Sequence, residues 1–389
     1  MNIVYIDINL ANTNQEVIIM KKIALFLTLA LLCAAMTGCA GTPVVYYTDC
    51  TCPVEAHEEA PAATQAPATV TPVETVAPVT AEGALKTGLA ITTSIGKSAS
   101  ASAEANGKAD YDVTIVAVLV DDNGVIQDCI IDGISESAEF DAAGAIVKPL
   151  AESIRTKNEK GADYGMVAWG GAIAEWDAQA AAVAAFAIGK TAEELRTGYI
   201  DEAGYAIDGT DLATSATINL YNIAATIEAA AANAQHLGAQ AGDELKLAVM
   251  PKDGGSKDAT AEAAGVVQLD ADATALTVKD GVITSCVIDS VQAKVPFDAA
   301  GAVTSDVSAP VQTKNQLGEA YGMVAWAGAI AEWNEQAASF AAYVTGLTAD
   351  GVAGIAVTET TKPAEGTDLA TSVTIAVGGF QALIAKALA

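Results

Sequence analysis

The chain contains a long internal duplication. Residues 124–217 align with residues 281–374 without a gap, at a constant spacing of 157 positions, and about half of the aligned positions are identical. Solenoid repeats are usually only about 20 to 50 residues long, so a spacing this large indicates a duplicated domain. We therefore predict two similar halves, residues 83–236 and residues 237–389, and we expect each half to fold alone.

Each copy begins with the pattern of a β-hairpin. Residues 112–120 are rich in β-branched and apolar residues, Asn123 and Gly124 supply a tight turn, and the apolar run that follows returns the chain. The second copy has Asp280 and Gly281 at the equivalent turn. Both dipeptides tolerate the positive φ angles that two-residue hairpin turns require. The duplicated pattern predicts an antiparallel sheet in each half.

Helical periodicity follows the hairpin in both copies. Apolar residues recur every three or four positions from Met166 to Val183 and from Met323 to Phe340, which predicts one amphipathic helix in each copy. We expect most of its aromatic residues to pack in the core. Residues 218–234 predict a short strand that continues into a final helix. The expected fold class is α+β, with two tandem homologous domains that each pack helices on a small antiparallel sheet.

Residues 20–39 (MKKIALFLTLALLCAAMTGC) have the order of a bacterial export signal. Two lysines precede an apolar run that is too short to span a bilayer, and the final Met-Thr-Gly-Cys is similar to a lipobox. Cys39 is therefore predicted to carry lipid at the mature N-terminus, on the extracellular face of the cell membrane; an ordinary secretory signal or a short anchor is the alternative. Residues 1–19 are interpreted as a misread upstream start. Residues 40–82 contain a Pro-, Ala-, Thr- and Glu-rich stretch that predicts a semi-extended tether.

The charge balance and the motif content exclude several classes of function. The chain has 48 acidic and 19 basic residues, a formal net charge of -29, so we expect neither nucleic acid nor an anionic membrane surface as a partner. With only two His in the chain, a histidine metal site is not expected. The sequence has no P-loop, GxSxG, HExxH or CxxC motif, which disfavours a hydrolase or a dehydrogenase. Cys129 and Cys286 occupy matching positions and are predicted to be buried core thiols.

A hydroxyl-rich segment recurs in both copies, as residues 210–217 (TDLATSAT) and residues 367–374 (TDLATSVT). One interpretation is structural, because Asp, Ser and Thr are favoured in turns and at helix caps. The other comes from a resemblance. The segment resembles the flavinylation motif of FMN-binding domains, in which a flavin transferase joins the FMN phosphate to the last Thr hydroxyl. The matching positions are Asp211, Thr214, Ser215 and Thr217 in the first copy and Asp368, Thr371, Ser372 and Thr374 in the second.

The resemblance extends beyond this segment. Ser215 and Ser372 stand where the flavinylation pattern has Gly, and Val373 where it has Ala. With the hairpin, the TKN, YGM and EW motifs and the lipid signal, the chain resembles the pheromone-encoding lipoprotein family, extracellular electron-transfer flavoproteins of Gram-positive bacteria. The resemblance implies FMN-binding-type domains with two FMN groups, attached covalently by phosphoester bonds to Thr217 and Thr374. It also implies an electron carrier rather than an enzyme, which takes electrons from a quinone-linked flavoprotein dehydrogenase system of the membrane and delivers them to external acceptors.

Two further pairs of residues are candidates for contact with FMN. Lys157 and Lys314, in the matched TKN motifs, are candidates to balance the phosphate charge; a solvated Lys at a turn is the alternative. Tyr164 and Tyr321 precede the predicted helix and are candidates to pack on the isoalloxazine ring. Two other functions stay open at this point. One is a surface lipoprotein that binds a small ligand non-covalently, and the other is a structural wall protein.

Overall fold

The computed structural model describes residues 83–389, so the predicted lipid site at Cys39, the upstream start and the tether lie outside the described residues. Each half contributes one antiparallel sheet. The first sheet has the order β1 (Lys86–Ser94), β2 (Gly107–Val120), β3 (Ile126–Phe140) and β4 (Ile146–Lys148). The second sheet has the order β5 (Glu244–Asp253), β6 (Gly265–Lys279) and β7 (Val282–Phe297). The predicted small antiparallel sheets are confirmed.

The two predicted hairpins are β2–β3 and β6–β7. In the first hairpin Gly107 lies opposite Phe140, and antiparallel pairing continues to the turn. The second hairpin closes through Asp280 and Gly281, whose φ angles are 50° and 78°. Two consecutive residues with positive φ are what a type I′ turn needs. Strands β1 and β5 have no counterpart among the predicted elements, because they lie before the aligned part of the repeat.

Helices follow each sheet along the chain, which confirms the α+β class. In the first half they are α1 (Lys157–Lys160), α2 (Met166–Gly170), α3 (Trp176–Ala187), α4 (Ala192–Tyr199), α5 (Asp211–Ser215) and α6 (Tyr221–Asn233). In the second half they are α7 (Lys314–Leu317), α8 (Met323–Ala327), α9 (Trp333–Val344), α10 (Ala349–Ala353) and α11 (Gly378–Leu388). Across residues 83–389, none of the helices combines the length and the apolar character needed to cross a bilayer.

The single helix predicted over residues 166–183 is wrong. Gly171 adopts a left-handed φ of 62°, which ends α2, and α3 begins only after a short irregular segment. Gly328, with a φ of 61°, ends α8 in the same way. The break separates the aromatic residues that the prediction placed on one helix. Trp176 on α3 is buried in the core, but Trp169 on α2 is 91% exposed.

The short strand predicted before the last helix of the first half is also wrong. Residues 216–220 form no strand, and the backbone N–H of Leu220 donates instead to the Gly204 carbonyl at 2.6 Å. Gly204 has a φ of 84°, and a Cβ atom there would lie 2.8 Å from Tyr221 Cβ. The chain therefore enters α6 through a close backbone contact, and the second half repeats it between the Val377 N–H and the Thr361 carbonyl at 2.8 Å, with a φ of 56° at Thr361.

One face of each sheet is covered by helices of its own half. Helices α3 and α6 pack on the first sheet, and α9 and α11 pack on the second. Cys129 and Cys286 lie in these two apolar layers, where burial raises the pKa of each thiol to about 12. The prediction that both cysteines are buried core thiols is confirmed.

The opposite faces of the two sheets pack against each other. Apolar side chains from the long strands of both sheets form one continuous buried cluster. The rings of Phe140 and Phe297 stack in this layer, with 4.1 Å between their centroids. The Tyr111 hydroxyl donates to the Val267 carbonyl at 2.8 Å, which satisfies its polar group across the layer. The order of layers is helix, sheet, sheet, helix, and the two halves share the central core.

This shared layer changes what is expected of isolated halves. Residues 83–236 or residues 237–389 alone would expose an apolar sheet face, and burial of apolar surface contributes about 25 cal/mol per Å². We expect each isolated half to self-associate in sedimentation or to lack cooperative unfolding by circular dichroism, whereas residues 83–389 unfold in one transition. A monomeric half that unfolds cooperatively would restore the expectation drawn from the repeat.

Candidate functional site

The hydroxyl-rich segments lie just before the last helix of each half. In the first half the segment forms α5, and in the second it forms a 3₁₀ turn at Leu369–Thr371. The Thr210 hydroxyl caps α5 by accepting a hydrogen bond from a backbone N–H at 3.4 Å. The Thr214 hydroxyl donates to the Asp211 carbonyl at 2.7 Å. Part of the segment therefore has the local capping role that the structural interpretation expects.

The last threonine of each segment makes a different kind of contact. The Thr217 hydroxyl donates to Gln179 Oε1 at 3.3 Å, and its backbone N–H donates to the same oxygen at 2.8 Å. The backbone N–H of Ile218 is a third donor, at 3.2 Å. The second half repeats all three contacts at the same distances: the hydroxyl and N–H of Thr374 and the N–H of Ile375 donate to Gln336 Oε1. Both threonines are thus held in one orientation.

Gln179 and Gln336 are candidate site residues that sequence reasoning missed. Both side chains are fully buried, in the first turn of α3 and of α9. The Nε2 group of each donates to a backbone carbonyl at 2.8 Å, so both ends of the amide have partners. The signal that could have found them is the run Glu-Trp-x-x-Gln, which occurs in both copies. A buried Gln on an alanine-rich helix requires partners, and a loop supplies them.

The other members of the two segments differ in exposure. The exposed residues are Asp211, Asp368, Thr214, Thr371 and Thr217, and the half-buried ones are Ser215, Ser372 and Thr374. Within residues 83–389, the carboxylates of Asp211 and Asp368 make no hydrogen bond, so neither acts as a cap. These acids are presented to solvent beside the threonines, where another protein can contact them.

The candidate lysines and tyrosines gather at the first turn of the same helices. Lys157 Nζ lies 4.9 Å from the Trp176 ring centroid and 5.8 Å from the Tyr164 ring centroid, within the range of cation–π contacts. Lys314 Nζ lies 4.6 Å from the centroid of the Trp333 ring and 5.4 Å from the centroid of the Tyr321 ring. In each half the buried Gln is three positions after the Trp that contacts the lysine, so both side chains lie on the same helix face. The structure therefore brings the lysine, the tyrosine and the acceptor loop to one end of one helix.

Carboxylates already lie near both lysines. Lys157 is buried, and its Nζ is 3.0 Å from Asp112 Oδ1 on β2. In the second half, burial lowers the pKa of Lys314, and the nearby Asp272 and Asp270 oppose this shift. The structure gives both lysines aromatic contacts, and it gives Lys157 an ion pair as well. A phosphate would have to share their charge with these carboxylates.

A cavity of about 280 Å³ lies beside the cluster of the first half. Lys157 and Trp176 line one side of it, and Asn219 and Asn222, at the start of α6, line another. Asn219 is two residues after Thr217 in the sequence, although Thr217 itself does not line the cavity. An aromatic ring, a cation and carboxamide groups are suited to a planar heterocycle with polar edges. Asp110 and Asp112 line the same cavity, so a bound group would meet two carboxylates beside the cation.

Each half also displays an exposed tryptophan, Trp169 at 91% and Trp326 at 90%. The Glu175 carboxylate accepts hydrogen bonds from the first two backbone N–H groups of α2, at 2.8 and 3.0 Å, and so fixes this short helix. Glu332 does the same for α8. A Cβ atom on Gly165 would lie 2.4 Å from Trp169 Cδ1, which explains the glycine of the YGM motif. The YGM and EW motifs therefore build one scaffold that presents a tryptophan to solvent.

The TKN motifs anchor α1 and α7 to the sheets. Thr156 caps α1, and the backbone N–H of Asn158 donates to Asp132 Oδ1 on β3 at 3.1 Å. The backbone N–H of Asn315 donates to Asp289 Oδ1 on β7 at the same distance. Burial raises the pKa of both aspartates, and that of Asp289 to about 6, although these hydrogen bonds oppose the shift.

Asp289→Asn should change how stability depends on pH. In the unfolded chain Asp289 has an ordinary pKa of 3.8, so between about pH 4 and 6 the folded state binds more protons than the unfolded state. This group therefore makes the protein less stable as pH rises through that window, and has no further effect above it. The free energy of unfolding of the Asn variant, relative to the unaltered protein, should rise by about 2–3 kcal/mol from pH 4 to pH 7.

Urea titrations at both pH values measure this difference, and the exposed Asp208→Asn is the control. An Asp289→Asn protein with the same pH dependence as the unaltered chain would show that the Asp289 carboxyl titrates as it does in water.

No protein-family model, curated protein or solved structure matches this chain. In the part of the chain that the structure describes, no group of three or more His, Cys, Asp or Glu side chains is arranged to hold a metal ion. The candidate site is consequently defined by its own geometry, and above all by the fact that this geometry occurs twice.

Proposed function

We propose that the chain is a lipid-anchored extracellular electron carrier that holds one FMN group on each half, joined through a phosphoester to Thr217 and to Thr374. One observation carries the proposal: a fully buried Gln holds each of the two threonines with the same three hydrogen bonds. A loop that served only as a turn has no need of a buried amide to orient its last hydroxyl. A duplicated arrangement of this kind favours a chemical role at both positions.

The acceptor geometry suits ester formation. The Thr217 hydroxyl directs its proton toward Gln179 Oε1, so the lone pairs of Oγ1 point away from the amide. Thr217 is exposed, and a transferase can therefore reach this oxygen. Loss of the hydroxyl proton on esterification leaves the two backbone donors in place, and these continue to hold the loop against α3.

When bound, FMN supplies the electron transfer, and the protein supplies position, shielding and electrostatics. Trp176 gives the 280 Å³ cavity an aromatic wall, and Lys157 contributes a cation close to that wall. Trp333 and Lys314 are the equivalent pair in the second half. Tyr164 lies against the same lysine and extends the aromatic surface. A flavin held in this way needs no further catalytic group, and the protein is a carrier rather than an enzyme.

The proposal includes three kinds of partner. A flavin transferase would recognise the exposed acids and hydroxyls of the two segments, at Asp211 and Thr214 and at Asp368 and Thr371. A quinone-linked flavoprotein dehydrogenase system in the membrane would donate electrons, and external acceptors would take them. A tether keeps both flavins at a high effective concentration near the membrane donor.

Denaturation of the purified protein tests the proposal. Protein produced with a flavin transferase should be yellow, and the colour should stay with the unfolded chain because a phosphoester is covalent. Protein produced without the transferase is the control and should be colourless. A yellow protein that releases its flavin on unfolding favours the non-covalent ligand-binding lipoprotein. If the protein is colourless in both preparations, the remaining interpretation is a structural wall protein.

Cys39→Ala should abolish membrane anchoring. Lipid is attached to the Cys thiol, so the variant is expected to remain an unprocessed precursor or to leave the membrane fraction. Cell fractionation followed by immunoblotting measures this, with Cys50→Ala as the control that keeps the lipobox. Unchanged anchoring and processing of the Cys39 variant would contradict the lipoprotein assignment.

A further inference from the structure

A cavity of about 590 Å³ lies where the two halves meet, and we call it the seam cavity. Its floor is β7 between Cys286 and Asp289, and α9 forms one wall. The first half supplies another wall, through Leu89 on β1 and Leu237 after α6. This volume falls within the range of small-molecule sites, about 300 to 1,000 Å³. The first half contributes Leu89, Asn233, Gln235 and Leu237, and the rest of the lining belongs to the second half.

The walls of the seam cavity are mostly apolar. Ala338 and Ala342 line it from α9, one helical turn apart, and their small side chains leave room beside the helix. Leu237 and Ile288 add larger apolar groups. A flat aromatic molecule that enters the cavity can bury most of this apolar surface and most of its own surface. Removal of apolar surface from water is the main source of affinity in such sites.

One polar atom of the lining lacks a partner. Asn334 Oδ1 is buried and accepts no hydrogen bond from any described residue. Asn334 precedes Ala338 by one turn and lines the same cavity. The equivalent oxygen of the first half, Asp177 Oδ1, lacks a partner as well, so this feature belongs to the helix start in both halves, and only the carboxamide of Asn334 as a group lies at the cavity. The carboxamides of Asn233 and Gln235 also line the cavity.

The charges around the seam cavity favour a neutral ligand over an anion. No Lys, Arg or His side chain lines it. Its carboxyl group is Asp289, whose Oδ1 already accepts from the backbone N–H groups of Ser290 and Asn315, at 2.7 and 3.1 Å. The chain as a whole has a net charge of -29. An anionic ligand would lose its hydration without gaining a cation, whereas a neutral one would not.

The seam cavity is separate from the candidate flavin site of the second half. Gln336, which holds Thr374, is on α9 as well, but Ala338 and Asn334 are two residues away from it in opposite directions. At 100° per residue this places each of them about 160–200° around the helix from Gln336. The two sites therefore use opposite faces of α9.

We propose that the seam cavity binds a neutral aromatic molecule of two or three rings, which contacts the carboxamide of Asn334. This non-covalent site goes beyond the proposed flavin attachment and does not depend on it. A protein with both would carry two flavins and, at the junction of its halves, a second kind of small molecule.

The first half offers a matched control. An equivalent groove of about 400 Å³ lies between α3 and β3, and Cys129, Asn158 and Asp177 line it. No residue of the second half closes this groove, and Asp177 carries a carboxyl group where the seam cavity has Asn334. Ala181 on α3 occupies the position of Ala338, and both are exposed. A substitution at Ala181 thus reproduces any effect on the helix without filling the seam cavity.

The test is a fluorescence titration of the full chain, produced without a flavin transferase, with N-phenyl-1-naphthylamine. This probe is neutral, has three rings and carries one N–H donor. We expect saturable binding to one site per chain. Ala338→Trp should weaken it at least tenfold and Asn334→Leu at least threefold, whereas Ala181→Trp should leave it within twofold. The anionic analogue 8-anilinonaphthalene-1-sulfonate, which differs by its sulfonate group, should bind at least tenfold more weakly.

Three results would overturn the proposal: no saturable binding of the neutral probe, equal effects of Ala338→Trp and Ala181→Trp, or equal affinity for the neutral and anionic probes. Circular dichroism checks that each variant is folded. If Ala338→Trp is unfolded, Ala342→Trp and its counterpart Ala185→Trp replace the pair, because both alanines are exposed and lie one turn further along their helices. The same three results would then overturn the proposal.

Discussion

Replacing Thr217 with Ala should remove one of the two flavins from protein produced with a flavin transferase, and Thr374→Ala should remove the other. A phosphoester needs a side-chain oxygen, and Ala has none. Each variant should keep the flavin of the opposite half, because separate glutamines hold the two acceptor loops. The double variant should carry no flavin. Intact-mass spectrometry counts the FMN increments on each chain.

Two further variants at Thr217 separate the chemistry of the hydroxyl from its shape. Ser keeps the oxygen and should be modified in part, whereas Val keeps the shape and should not be modified. Loss of the hydroxyl removes one long hydrogen bond of 3.3 Å, so we expect the free energy of unfolding to change by about 0.5 kcal/mol or less. Full flavin occupancy at this site in the Val variant would contradict the assignment.

The two acceptors should differ in rate. Thr217 is exposed and Thr374 is half-buried. In addition, Val373 occupies the position of Ala216, and the second segment forms a 3₁₀ turn in place of α5. With limiting transferase, flavin should therefore appear on the first half before the second.

Replacing Gln336 with Leu should have the largest effect on stability among the substitutions at the site. Leu removes the acceptor of three hydrogen bonds, from the hydroxyl and N–H of Thr374 and from the N–H of Ile375. A buried donor left without a partner costs about 1–3 kcal/mol, so we expect the free energy of unfolding to fall by about 2–4 kcal/mol. Flavin occupancy of Thr374 should fall as well. Gln179→Leu should act in the same way on the first half.

Urea unfolding followed by circular dichroism measures this loss, and intact mass measures the occupancy. Gln381→Leu is the matched control, because Gln381 on α11 is half-buried and its amide donates to backbone carbonyls without holding an acceptor loop. An unchanged unfolding midpoint and full modification in Gln336→Leu would show that the amide does not organise the site.

Local chemistry explains what could be predicted from the sequence. The hairpins depend on alternation and turn residues, and the positive φ angles of Asp280 and Gly281 follow from their own conformational preferences. Burial of Cys129 and Cys286 follows from the apolar strand around each of them. These features are encoded within a few residues, and a pattern is sufficient to find them.

The features that were missed depend on contacts distant in sequence. The apolar period through Met166 and Trp169 fits a helix, but it cannot show that Gly171 takes a left-handed conformation and turns Trp169 toward solvent. The pairing of Gln179 with Thr217 joins two segments that are 38 positions apart. The sheet-to-sheet core depends on which face of each sheet its own helices leave uncovered. A repeat therefore reveals that two halves are alike without showing that they share a core.

The position of the flavin is the most direct test of the central claim. Trypsin should release one hydroxyl-rich segment within residues 197–246 and the other within residues 315–386, because Lys362 precedes a proline and resists cleavage. In protein produced with an active transferase, mass spectrometry of these peptides should place one FMN on Thr217 and one on Thr374. Unmodified peptides from such a preparation, or a flavin attached to any other residue, would contradict the account.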